Sequence, residues 1–178
     1  MHQQILQFWF EDIESVQWFR KDDAFDQLLV DRFSEVHAQA VRCELFSWRG
    51  TAEGRLAEII VLDQFSRNMF RGTPQAFAND PLALTLAQEA VARGADKQVS
   101  QVQRGFFYLP FMHSESLIIH EQAEKLYRQE GMESGLEWEI KHKAIIERFG
   151  RYPHRNAILG RQSSKEERAF LKEPGSSF

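Results

Sequence analysis

The feature that most constrains this chain is the spacing of its apolar residues, which recur every three and four positions. After Asp22, the residues Phe25, Leu28, Leu29, Phe33, Val36 and Ala40 form the stripe of an amphipathic helix. Asp22 or Asp23 can accept its first free backbone N–H groups as an N-cap. A second helix is expected from Thr51, carrying Leu56, Ile59, Ile60 and Leu62 toward "LDQFSRN". "NDPLALTLAQEAVARG" carries the punctuation of a third: Asn79 or Asp80 as cap, Pro81 at the first helical position and Gly94 beyond the last turn. A fourth, around Val99, Val102 and Phe106, runs into Pro110, which should end or kink it. "SESLIIHEQAEKLYRQEG" reads as a fifth, with Ser114 as its cap, Glu115 in its first turn and Gly131 at its close. "SGLEWEIKHKAIIERFG" is a sixth, with Ser134 and Glu137 as a capping box and Gly150 in the left-handed terminal position. A short last helix follows Ser163 or Ser164, its N-terminus favoured by Glu166 and Glu167. No segment alternates with period two, and no Asn-Gly or Asp-Gly turn occurs. The chain is therefore read as all-α, with about seven or eight helices.

Composition bounds the rest. A length of 178 residues suits one domain, expected over 1–172, with "EPGSSF" (173–178) as a frayed tail. Hydrophobic content of 43% with 27% charge is that of a folded globular chain. A net charge of −4 argues against a nucleic-acid partner, which needs a basic face. No apolar run approaches the roughly 20 residues of a membrane span. The opening "MHQQILQFWFED" has neither the basic leader nor the apolar length of a signal peptide. The single cysteine, Cys43, excludes an intramolecular disulfide and fits a reducing cytoplasm. It lies beside the Phe33–Ala40 stripe without an activating basic neighbour, so a buried, inert thiol is expected.

Against that acidic background, "RFGRYPHRNAILGR" (Arg148–Arg161) holds four arginines, a histidine and no acid. A second long loop, "SRNMFRGTPQAFAND", echoes it, because "FSRN" and "PHRN" each place Arg-Asn shortly after an apolar ring. Arg67, Arg71, Arg151, Arg155 and Arg161 would make an anion site if the two loops met. The planar guanidinium fork suits phosphate or carboxylate, and Asn68 and Asn156 could add neutral donors or take left-handed turns. The same residues also suit helix C-termini, whose free carbonyls attract cations; Arg67 could pair with Asp63, and Arg151 with Glu147. Both readings stand on these residue types.

Three stretches carry a family resemblance: "LDQFSRNMFRGTPQAF" (Leu62–Phe77), "YLPFMHSES" (Tyr108–Ser116) and "RFGRYPHRNAILGR". With "ILQFWF" and "SSKEERAFL" they span nearly the whole chain in order. The sequence resembles the bacterial domain-of-unknown-function family 924. That resemblance implies stacked antiparallel helix pairs of tetratricopeptide-like form, and no established activity. The chain departs from the family pattern at Ser66, where the resemblance implies proline, and at Ser116, where it implies an acid.

His113 stands near a helix start, where anions bind well, and could hold a ligand or move a proton near neutral pH. No metal site is expected from Asp63, His113, Glu115, His120, His142 and His154, which lack HExxH, CxxC or EF-hand spacing. His142 shares a stripe with Trp138, Ile145 and Phe149 and reads as a core histidine. "LPFM" and "FWF" read as core rather than as grooves for a partner. The leading functional expectation is binding of a small anionic ligand or peptide carboxylate by Arg67, Asn68, Arg71, His113, Arg151, Arg155, Asn156 and Arg161, with no cofactor. One alternative is a hydrolase or transferase acting on a phosphate or carboxyl ester, with His113 or His154 as general acid–base. Another is a peptide-binding interaction scaffold. The sequence fixes no oligomeric state.

Overall fold

The computed structural model describes residues 1–177, and helices and turns account for all its regular structure, with no strand among the described residues. Helix α1 (His2–Gln7) runs into a π-helical turn (Phe8–Asp12), followed by α2 (Asp23–Val41). Helix α3 (Ala52–Ile60), a π-helical turn (Val61–Phe65) and α4 (Ser66–Met69) continue one another without a break. Then come α5 (Asp80–Ala92), α6 (Gln101–Met112), α7 (Leu117–Tyr127), α8 (Glu133–Phe149) and α9 (Lys165–Phe170). With α3 and α4 counted as one, the described residues carry eight α-helices, and the fold is all-α. None of these helices is long and apolar enough to cross a membrane.

The chain forms two compact units. The first comprises Met1–Arg71 and Gln75–Pro110; the second comprises Gly72–Pro74 and the described residues from Phe111 on. The expected frayed tail reaches Phe178, which lies outside the described residues. Within that tail, Ser176 is buried and its hydroxyl donates to the carbonyl of Leu171 at 3.3 Å.

The first unit is built on aromatic side chains. Phe8 meets Phe25, Phe33 and Phe65, while Trp9 meets Phe25, Phe65 and Phe106, with ring centroids 4.9–6.4 Å apart. Such offset and edge-on pairs add to the hydrophobic gain from burying each ring. The expected α2 stripe is buried at Phe25, Leu29, Phe33, Val36 and Ala40, and Leu28 falls outside it. Asp22 caps α2 by accepting from the Ala24 and Phe25 N–H groups, and Thr51 caps α3 by accepting from Gly54. The π turn widens the helix locally and shifts the face it presents. All five of its residues, Val61–Phe65, are buried, including the polar Asp63 and Gln64.

In the second unit α7 and α8 pack as a hairpin, with the Tyr127 ring seated against Gly135; a Cβ there would lie 2.4 Å from the ring. Ile145, Ile146, Tyr152 and Phe170 form its core, joined by Phe149. Gly150 ends α8 in the left-handed conformation, and Ser164 with Glu167 makes a capping box for α9.

Several local expectations are corrected. Ser134 lies inside α8, and the Gly131 N–H is taken by the side chain of Glu133 instead. Ser114 and Glu115 precede α7, whose N-cap is Ser116, because Glu115 is drawn to partners described below. Trp138 is exposed, although His142 on the expected stripe is buried. Cys43 is exposed: α2 ends at Val41 and the chain turns through a left-handed residue, Cys43 itself, at φ 59°. Pro110 does not stop α6, which runs two residues further to Met112.

Gly54 offers a test of the α3 entry. A Cβ there would lie 2.0 Å from the Trp48 carbonyl oxygen, a backbone atom that cannot swing away. Gly54→Ala should cost about 1–3 kcal/mol, lowering Tm by roughly 2–4 °C per kcal/mol for a chain of this size. Gly50→Ala, which meets nothing within 4 Å, should leave Tm within about a degree in the same thermal scan.

Candidate functional site

Of the eight residues expected to hold an anion, five lie in the second unit and three in the first. The second-unit set centres on the segment that follows α8. Gly150 and Pro153 break the helix there, and a 3-10 turn (Pro153–Arg155) carries His154 and Arg155. Glu115 is the anchor. Its carboxylate accepts two hydrogen bonds from the Arg161 guanidinium, at 2.6 and 2.9 Å, and a third from the Tyr152 N–H at 2.7 Å. Burial pushes the Glu115 carboxyl up, but the Arg161 and Tyr152 hydrogen bonds outweigh it and hold the group below its ordinary range.

Each of the other second-unit residues also has internal partners. Arg161 donates to the Asn156 side-chain oxygen and the Tyr152 carbonyl. Asn156 is fully buried and donates to the Ser163 hydroxyl. Arg151 makes a two-pronged pair with Glu167, at 2.6 and 2.8 Å, and donates to the Gln162 carbonyl. That pair, chiefly, holds the Glu167 carboxyl down to about 2. Arg151 therefore pairs with Glu167 rather than with Glu147, which lies 3.8 Å from Lys143. Arg155 is buried, donates to the His113 carbonyl at 3.0 Å and lies over the Tyr152 ring at 4.7 Å. His113 is half-buried, and the half-buried His154 ring is 5.5 Å from that of Tyr152.

Behind this loop is a polar layer that spacing alone does not reveal. His120 and Glu139, both fully buried, meet at 2.7 Å through Nδ1 and Oε1. Because the Ser114 carbonyl can only accept, the His120 Nε2 that contacts it at 2.8 Å carries a proton. The Tyr152 hydroxyl donates to the Met112 carbonyl at 2.5 Å. Burial raises the Glu139 carboxyl above its ordinary range. His142 donates Nδ1–H to the Trp138 carbonyl, and burial, followed by the charges of His113, His120 and His154, accompanies a fall of its pKa to about 3. The i,i+3 step from His142 to Glu139 does place both on one face of α8, but nothing local announces their partners on α7 and the loop.

In the first unit, Arg67 grips Asp80 with both terminal nitrogens, at 2.8 and 3.0 Å, and pairs with Asp63 at 3.0 Å, the partner expected one turn earlier. It also donates to the Asp63 carbonyl. Arg71 makes a two-pronged pair with Asp26 on α2. Asn68 is buried, and its amide nitrogen finds no acceptor among the described residues. All five loop arginines thus have carboxylate, carbonyl or ring partners within their own units. No group of three or more His, Cys, Asp or Glu side chains among the described residues is placed to hold a metal.

A different arginine lines open space. A groove of about 530 Å³ runs along α1 and α2, with Phe33 and Val36 among its lining residues. Gln4 on α1, Gln7 and Gln39 line it as well, the Gln39 amide donating to the Glu35 carboxylate at 3.5 Å, and Arg32, Glu35 and Asp12 add charge. The Arg32 guanidinium rests over the Phe8 and Phe33 rings, 4.6 and 5.0 Å from their centroids. It makes no ion pair among the described residues.

The protein is thus an all-helical chain with an amide-lined groove and basic loops tied to acids. It matches the family described as "Bacterial protein of unknown function (DUF924)" over residues 5–175, and belongs to it, as the sequence motifs imply. A solved structure, described as a protein of unknown function, ATU0120, from Agrobacterium tumefaciens, is 43% identical, with a TM-score of 0.88 and 96% of each chain covered. No curated protein matches.

The buried histidine layer has a consequence for stability. His142 binds its proton near pH 3 when folded and near 6.5 when unfolded, so below 6.5 the unfolded chain takes up more protons. The stability tied to neutral His142 is fully present above pH 6.5 and is lost as pH falls toward 3. His142→Leu should flatten this acid limb by up to about 1.4 kcal/mol per pH unit. Urea unfolding of both proteins between pH 4 and 7.5 reads the difference, and parallel curves would contradict it.

Proposed function

We propose that the protein is a peptide-binding interaction module whose groove along α1 and α2 takes an extended segment with a carboxylate. The observation that carries this reading is the gathering around one groove of three glutamines, those at 4 and 7 with no hydrogen bond from their amides among the described residues, and an arginine that makes no ion pair among the described residues. A peptide backbone offers alternating N–H and C=O groups, and a glutamine amide matches both because it donates and accepts. Arg32 supplies the fork for a carboxylate, and its stacking on Phe8 and Phe33 reduces the freedom it would lose on binding. Asp12 and Glu35 favour N–H groups or a basic residue elsewhere along the same segment, and disfavour a simple inorganic anion.

In this reading the loop arginines are ties rather than ligand donors. A phosphate at Arg151 or Arg161 would have to displace Glu167 or Glu115, carboxylates already tethered at hydrogen-bond distance. The small-anion pocket is for that reason the weaker proposal, and the binding of a peptide carboxylate moves to Arg32.

Fluorescence anisotropy with a labelled pentapeptide library tests it. Peptides with a free C-terminal carboxylate should bind about tenfold more tightly than their amidated forms, a difference of roughly 1.4 kcal/mol. Arg32→Ala should erase that preference, at a cost in stability of about 0.5–1 kcal/mol for the lost stacking on Phe8 and Phe33. Binding that survives Arg32→Ala but disappears in Arg161→Ala would return the site to the loop after α8.

A further inference from the structure

We infer that a second face of the first unit, around Phe19, is a docking surface for a cationic amphipathic segment. The face is exposed and apolar. Phe19 is 70% accessible, Val16 57% and Val102 55%. The Phe19 ring stacks on the buried Phe106 ring at 6.4 Å with an interplanar angle of 9°, Val102 lies one turn before Phe106 on α6, and Val16 lies three residues before Phe19. Phe10 and Trp18 pack edge-on to the same ring at 5.2 and 5.1 Å. The Trp18 indole N–H is already used, donating to the Trp9 carbonyl at 2.8 Å. The platform is thus held from below while its outer side chains face solvent, as in the apolar centre of an interface.

Charge selects the occupant. Glu11 and Glu14, beside Phe10 and Val16 in sequence, are exposed and form no ion pair among the described residues. On the basic side, Arg20 is paired with Asp22 at 2.7 Å, and Lys21 is exposed. Two carboxylates against one lysine leave a negative rim. A second copy meeting this face by a two-fold axis would set each rim against its own image, and an anionic membrane would be repelled in the same way. An apolar helix carrying lysines or arginines satisfies both the platform and the rim.

The protein titrated with a labelled amphipathic peptide whose leucines recur every three and four positions with lysines between tests the assignment, with Leu–Glu and Leu–Gln peptides of the same pattern alongside. The Leu–Lys peptide should bind at low salt, and the other two at least tenfold more weakly. Phe19→Ser and Val102→Ser should each lower Leu–Lys affinity about tenfold without lowering Tm. Glu11→Gln with Glu14→Gln should remove much of the salt dependence. Equal binding of the Leu–Glu peptide, or Leu–Lys binding indifferent to Phe19→Ser, would overturn the proposal. So would a sedimentation dimer or flotation with phosphatidylserine vesicles that Phe19→Ser abolishes, each naming the other occupant.

Discussion

The second unit depends on the grip of Glu115 on Arg161 and the Tyr152 N–H. One carboxylate, supplied by the loop before α7, fixes the loop that follows α8. The loop then brings Tyr152 over the histidine layer, with Arg155 across its ring. Arg161 is partly exposed, so solvent weakens the pair's raw attraction. Its value is geometric: a planar fork matched to a carboxylate fixes direction as well as distance. The basic loop is thereby tied into the architecture of its unit.

The same principle operates in the first unit with different partners. Arg67 joins α4 to the start of α5 through Asp80, Arg71 joins the turn after α4 to α2 through Asp26, and Arg49 clasps the buried Glu58. This unit also buries His37 against the Ser66 hydroxyl at 2.8 Å, and burial lowers the histidine pKa. Ser66 stands where the family resemblance implies proline, and Asn79 donates to the same hydroxyl. Ser66 and His37 are both buried, and their contact ties α2 to α4.

What could be read from sequence follows from how far each cause reaches along the chain. Helix stripes and caps are local, and so Asp22, Thr51, Gly94, Gly150 and Ser164 stand where their residue types suggest. The Arg67–Asp63 pair was legible because it is one turn long. Glu115–Arg161 and Arg151–Glu167 were not, because 46 and 16 residues separate the partners and only the packed chain brings them together. The acid-free stretch of arginines finds its acids, Glu115 and Glu167, in other segments, and their pairing cannot be read from the stretch itself. The groove is illegible for a related reason: Gln4, Gln7, Arg32 and Gln39 belong to two helices, and no motif links them.

The central claim is that Arg32 and the glutamine amides meet a ligand while the loop arginines remain bound to their own carboxylates. The most direct measurement is a two-dimensional ¹H–¹⁵N spectrum that resolves arginine Nε–H and glutamine amide signals during titration with a free-carboxylate peptide. The account predicts shifts at Arg32, Gln4, Gln7 and Gln39, with Arg151, Arg155 and Arg161 unmoved. Shifts at Arg155 and Arg161 with Arg32 unmoved would contradict it.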